Sequence, residues 1–119
     1  MTTKQKLSKE FLVIKKDSGK DNIVLDFGKL RRAVLTLRAI NHPLRKKIVS
    51  MLENKRSMMV TEIYDLLKLE QSVASQHLAI LRRADIVTTK REGKCIFYSV
   101  NKKRIGEITS LVEDLAQQE

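Results

Sequence analysis

The stretch TEIYDLLKLEQSVASQHLAIL, residues 61–81, decides how this chain folds. Ile63, Leu66 and Leu67 recur at i, i+3 and i+4, the spacing of one inward helical stripe, and Thr61 is placed to cap that helix at its N-terminus. The pattern breaks over residues 68–71. It resumes with Ala74, Leu78 and Leu81 at i, i+4 and i+7, a second inward stripe. Opposite lie Ser72, Ser75, Gln76, Ala79 and Arg83, mostly short and polar, so another surface can approach the backbone closely. Two helices joined by a tight turn, the second presenting small hydrogen-bonding side chains, form the helix-turn-helix pattern.

Downstream, residues 86–90 and 95–100 are rich in β-branched and aromatic side chains, the composition of strands. Arg91-Glu92-Gly93-Lys94 separates them, with Gly93 available for a positive φ. A hairpin following the second helix is a wing, and its tip residues Arg91 and Lys94 are cationic. Upstream, residues 29–40 read as a helix with Leu30, Val34, Leu37 and either Ala33 or Ile40 on one face. His42-Pro43 interrupts it, because proline disfavours a helical conformation at the residue before it. Pro43 then suits the first turn of a helix over residues 43–54, with Leu44, Ile48 and Leu52 inward. Residues 57–60 suit a short strand pairing with the wing. A last helix over residues 102–117 carries Ile105, Ile108, Val112 and Leu115 on one stripe, with Leu111 beside it. The first and last helices are also apolar beside these stripes, more than a small core requires, which points to oligomerisation over the alternative of a monomer that uses these stripes internally.

Residues 11–15 and 23–27 flank a turn-rich break over residues 16–22 and read as two short strands or a disordered basic tail. The expected organisation is therefore an N-terminal extension over residues 1–27 and a winged helix-turn-helix DNA-binding domain over residues 28–119. The fold class is α+β, mainly α, with flanking N- and C-terminal dimerisation helices.

The 119 residues leave room for one domain of modest core, and the composition, 42% hydrophobic and 32% charged, is that of a soluble globular chain. The longest apolar run is four residues, over 11–14, so no segment suits a membrane span and no membrane partner is expected. The N-terminus lacks the apolar core of a secretory signal, and a lone cysteine fits a reducing cytoplasm. Net charge is +10, and residues 71–104 concentrate it, with eight cations against Asp85 and Glu92. A solvated surface is the ordinary explanation of a charge run. Here the cations coincide with the helix and wing that would face a duplex, which favours nucleic acid.

Together, Leu37-Arg38-Ala39-Ile40-Asn41-His42-Pro43-Leu44-Arg45, residues 72–82 (SVASQHLAILR) and the Arg91–Lys94 run resemble the ArsR/SmtB family of bacterial winged-helix repressors. The likeness spans residues 30–117. It implies a homodimer whose first and last helices pack across a two-fold axis, through Leu30, Val34, Leu37, Ile108, Leu111, Val112 and Leu115. Metal-sensing relatives carry two cysteines one residue apart where this chain has Met59 and Thr61, neither a thiolate ligand. A second family site uses carboxylates and histidines on the last helix, yet this chain has no histidine after His77. No metal and no cofactor are therefore expected. His77 reads as a structural or phosphate-contacting residue, and His42 precedes proline in a turn. Redox-sensing relatives use two cysteines. Cys95 alone could form only an intermolecular bond or a mixed adduct, and beside Ile96 and Phe97 it reads as a packing residue.

No glycine-rich phosphate loop, ligand-spaced cluster or nucleophile with an evident base appears, so an enzyme is not expected. Two classes stay open: a sequence-specific DNA-binding regulator, and a winged-helix interaction module without DNA readout. The polar outward face and cationic wing favour the regulator, with Gln71, Ser72, Ser75, Gln76, His77, Arg82, Arg83, Arg91 and Lys94 as its DNA-binding residues. Glu70 is dissonant, a carboxylate where the family often has a capping serine. The sequence names no operator and no inducer.

Overall fold

Asp26 starts the first helix: its Oδ1 accepts from the Gly28 N–H at 2.9 Å and the Lys29 N–H at 3.2 Å. That side-chain cap puts the helix start at Phe27, two residues ahead of the expected boundary. The computed structural model describes residues 10–15 and 22–117. The expected turn over residues 16–22 lies outside them apart from Asn22, as do residues 1–9 of the N-terminal extension. By contact the chain forms two compact units, residues 1–35 and 36–119, which part within this helix.

In the first unit, β1 (Phe11–Lys15) and β2 (Asn22–Asp26) pair antiparallel, with Leu12 opposite Leu25 and Ile14 opposite Ile23. They lead into α1 (Phe27–Ile40). The second unit continues with α2 (Pro43–Lys55), β3 (Met58–Met59), α3 (Val60–Leu67), α4 (Gln71–Arg83), β4 (Val87–Glu92), β5 (Cys95–Val100) and α5 (Lys102–Ala116). Its three-stranded sheet has the order β3-β5-β4, with Met58 opposite Tyr98 and Thr89 opposite the same tyrosine on the far side. This is a winged helix-turn-helix, α+β and mainly α. No helix among the described residues is long and apolar enough to cross a membrane.

Each boundary has a local cause. His42 caps α2 through Nδ1, which accepts from the Leu44 N–H at 3.1 Å, and Pro43 follows at the position where its missing N–H costs nothing. Thr61 does not cap α3. Met59 is the cap residue, and its N–H donates to Glu62 Oε1 at 2.9 Å, the returning half of a capping box. Helix α3 ends with Lys68 left-handed at φ 55°, the Lys68 N–H bonding Asp65 and the Leu69 N–H bonding Tyr64. Helix α4 ends the same way: Asp85 at φ 62° donates to Arg82, and the Ile86 N–H to Leu81. Both are Schellman motifs, in which the residue after the left-handed one packs inward. Asn101 caps α5, its Oδ1 accepting from the Arg104 N–H at 3.2 Å.

The core lies under α4. Ala74, Leu78 and Leu81 are fully buried, as are Ile48 and Leu52 of α2, Met58, Ile63 of α3, and Ile86 at the wing's foot. Val60 and Leu67 are partly buried against this cluster. Leu66, expected inward, is 54% exposed. At about 100° per residue it falls roughly 60° outside the arc that Val60, Ile63 and Leu67 span, and a two-turn helix buries little beyond that arc. On α1 the buried residues are Thr36 and Ala39, while Leu30 and Val34 are exposed.

A second constraint acts through Arg45 on α2. Its guanidinium donates from Nε to the Ala39 carbonyl, from one terminal nitrogen to the Arg38 carbonyl at 3.5 Å, and from the other to His77 Nδ1 at 3.2 Å. The side chain thus closes the C-terminus of α1 and ties α4 to it, a cation at the negative end of a helix. The His77 ring also stands 4.9 Å from that of His42.

Burial, with His42 and then Arg45 nearby, lowers the pKa of His77 from its ordinary value. The unfolded chain therefore takes up this proton first. The stabilisation is complete above the ordinary histidine value of about 6.5 and is lost progressively as pH falls from there through the lowered folded-state value. We expect denaturant midpoints to fall between pH 7 and pH 5.5 more steeply in the wild type than in His77→Gln, whose amide oxygen can still accept from Arg45. Equal slopes would contradict this role for His77.

Candidate nucleic-acid interface

The buried stripe of α4 determines what the helix shows. With Ala74, Leu78 and Leu81 inward, Ser72, Ser75, Gln76, Ala79 and Arg83 all lie exposed within an arc of about 100° on the far side. Gln71 is exposed at the first turn. Serine and glutamine offer both donors and acceptors, and neither serine nor alanine holds a partner off by length. Glu70 is the N-cap residue, yet its side chain makes no capping hydrogen bond. The first-turn N–H groups therefore face outward from the positive end of the helix. Arg82 and Arg83, also exposed, sit about 16 Å along the axis from Gln71, at the opposite end of the helix.

The wing turns through Gly93 and Lys94 alone, since Glu92 pairs with Cys95. Gly93 has φ 63° while Lys94 is not among the positive-φ residues, the pattern of a type II′ turn. Strand β4 consequently runs to Glu92, past the expected end, and carries Arg91 as its penultimate residue. Arg91 and Lys94 are both exposed. Lys90 and Glu92 approach to 3.7 Å with side chains 78% and 60% exposed, a pair worth little in water. Cys95, read from sequence as a packing residue, is exposed instead. It adjoins the turn, at the end of β5 farthest from the buried wing foot.

His77 stands apart from the other expected DNA-binding residues. It is half-buried at the edge of the inward stripe, and Nδ1 is engaged by Arg45. Arg45 itself was not singled out in the sequence. Its carbonyl partners lie six and seven residues upstream on another helix, a pairing with no local signature. Arg104, one of the clustered cations, also serves the fold: it bonds the Ala84 carbonyl at 3.3 Å and Thr36 Oγ1 at 3.0 Å. At the positions where metal-sensing relatives have cysteines, Met59 is half-buried and Thr61 exposed. Among the described residues, no three His, Cys, Asp or Glu side chains come together as a metal site.

This geometry has close counterparts. A family model described as "Bacterial regulatory protein, arsR family" matches residues 42–89, from the cap of α2 into the wing. The HTH-type transcriptional regulator MJ1325 of Methanocaldococcus jannaschii is 38% identical over 87 residues, which cover 73% of this chain and 98% of the relative. The crystal structure of the transcriptional repressor PagR of Bacillus anthracis superposes with a TM-score of 0.60 at 37% identity, over 72% of this chain and 99% of that one. HlyU of Vibrio cholerae, a transcriptional activator, superposes with a TM-score of 0.59 at 33% identity, over 76% of this chain and 97% of the other. The chain belongs to the ArsR family of bacterial regulatory proteins, and is with them a DNA-binding transcriptional regulator.

Proposed function

We propose that the protein acts as a homodimeric repressor that reads an inverted-repeat operator in double-stranded DNA. One observation carries this reading: the uncharged hydrogen-bonding stripe Ser72, Ser75 and Gln76 is exposed on a helix whose opposite face is fully buried. Residues 28–119 are then the DNA-binding domain and residues 1–27 an extension. First-turn amides of α4 hold a phosphate and set the register. Gln71, Ser72, Ser75 and Gln76 meet base edges in the major groove, where the Gln76 amide suits adenine N6 and N7. Arg82, Arg83, Arg91 and Lys94 hold the flanking backbone. His77 positions the helix through Arg45 and does not itself meet a base. Repression is the sign that PagR's name carries and HlyU's does not, and a dimer seated across a promoter blocks transcription by occupancy.

The dimer rests on Leu30, Val34 and Leu37 of α1 and on Ile108, Leu111, Val112 and Leu115 of α5. Ile105 and Ile108 pack against the protein's own core, whereas Leu111, Val112 and Leu115 are exposed beyond it. A two-fold arrangement would present two reading helices one DNA turn apart, as an inverted repeat requires. Met59 and Thr61 supply no thiolate, so the protein is not a metal sensor of the family's cysteine type, and no cofactor is needed.

Gln76→Ala should cost about 1–3 kcal/mol on the operator and little on random duplex. Arg91→Ala and Lys94→Ala should weaken both duplexes alike, and removing each phosphate-binding cation should flatten the slope of log K against log[salt] by roughly 0.9, twice that per dimer. Fluorescence anisotropy over a salt series measures all three. A wild type without salt-dependent DNA affinity would make this an interaction module instead. Val112→Glu should weaken the dimer by a few kcal/mol through burial of an unpaired charge, and sedimentation showing a wild-type monomer at micromolar concentration would overturn the assembly. Equilibrium dialysis should find no tight Zn(II), Cd(II) or As(III), and one metal per subunit would contradict the sensing assignment.

A further inference from the structure

Among the described residues, the first unit has strands and a helix but no interior. No described residue from 10 to 35 is buried. Of fifteen exposed large apolar side chains among the described residues, ten lie in this short segment, so the imbalance is local to it. The pairing register concentrates four of them. Leu12 stands opposite Leu25 and Ile14 opposite Ile23, and strand residues two apart share a face, so one side of the hairpin is aliphatic throughout. The other side is mixed: Val13 and Val24 sit between the Phe11–Asp26 and Lys15–Asn22 pairs. The four aliphatic residues are 41–52% exposed. A lone two-stranded hairpin is marginal in water, and one with an uncovered aliphatic face is more so.

We propose that this face, Leu12, Ile14, Ile23 and Leu25, is covered by the same face of a second copy of the chain. The inference rests on the homodimer reading above and adds a second contact to it. Area argues for it. Leu30 and Val34 on α1 together with Leu111, Val112 and Leu115 on α5 offer on the order of 450 Å² of apolar surface per protomer, short of the roughly 600 Å² per partner at the low end of stable interfaces. The hairpin face offers on the order of 300 Å² more, which closes that gap. Composition argues for a like partner. The face has no charged or polar side chain, so stacking it on its equal buries no unpaired group. Turned over about a dyad along the strands, Leu12 meets Leu25 of the partner subunit and Ile14 meets Ile23 of the partner subunit, an isologous contact.

The test compares two adjacent positions on opposite faces of the same strand in the full-length chain. Leu25→Lys should raise the dimer dissociation constant at least tenfold in sedimentation equilibrium, and Val24→Lys less than threefold. In a Cys95→Ser background, Ile23→Cys should give a dimer with a short bismaleimide, and Val24→Cys should not. Equal effects of the two lysines, or no effect of either, overturn the proposal. So does a Leu25→Lys protein that melts lower without dissociating, since the face would then cover part of its own chain. A wild-type monomer sinks the homodimer reading and this one together. A dimer indifferent to Leu25→Lys but broken by Val112→Glu sinks this one alone.

Discussion

The structure depends on the burial of one helical stripe. Ala74, Leu78 and Leu81 have no exposure, and neither do Ile48 and Leu52 of α2, Ile63 of α3 and Ile86 at the wing foot. Each buried leucine contributes about 1.5–3 kcal/mol, so turning α4 by one residue would expose more apolar surface than a small core can lose. The cost of such a turn fixes which residues face out. Serine and glutamine stand there because the stripe leaves them there, and the Arg45 bonds to α1 and His77 hold the same orientation from a second side.

Helical spacing and the β-branched runs made most of the second unit legible. The helix-turn-helix, the wing and the left-handed Gly93 all follow from residue types at fixed offsets. Boundaries were less legible, and the reason is specific. Helices α2, α3 and α4 end on Arg56, Lys68 and Asp85, each with positive φ and none of them glycine. A left-handed residue with a side chain leaves no mark in the sequence, and each costs of order 1 kcal/mol that the surrounding packing must offset. At α4 the offset is visible, because Ile86, next after Asp85, is fully buried with Leu81. The site showed the same divide. Exposed residues on a periodic face could be read ahead, whereas the Arg45–His77 bond joins residues 32 apart and becomes apparent only once α2 and α4 are packed.

The first unit illustrates the converse. Its strands were foreshadowed by composition, yet their pairing register was not, because the turn-rich segment between them admits more than one alignment. A one-residue slip would have mixed the two faces. The register found instead sorts the hairpin into an aliphatic side and a mixed side, which sequence alternation alone does not reveal.

The cations divide by task in a way that net charge conceals. Arg45 and Arg104 bond carbonyls and a hydroxyl inside the fold, where a planar guanidinium can satisfy several acceptors at once. Arg82, Arg83, Arg91 and Lys94 are exposed, at the far end of α4 and around the wing turn. Between the ends of α4 its outward face is neutral. A polyanion would therefore meet charge at the edges of this surface and hydrogen-bonding groups at its centre. Charge supplies affinity that salt screens, and directed hydrogen bonds supply discrimination that salt leaves largely intact. Placing the two on different residues lets each vary without disturbing the other, while the buried stripe beneath stays the same.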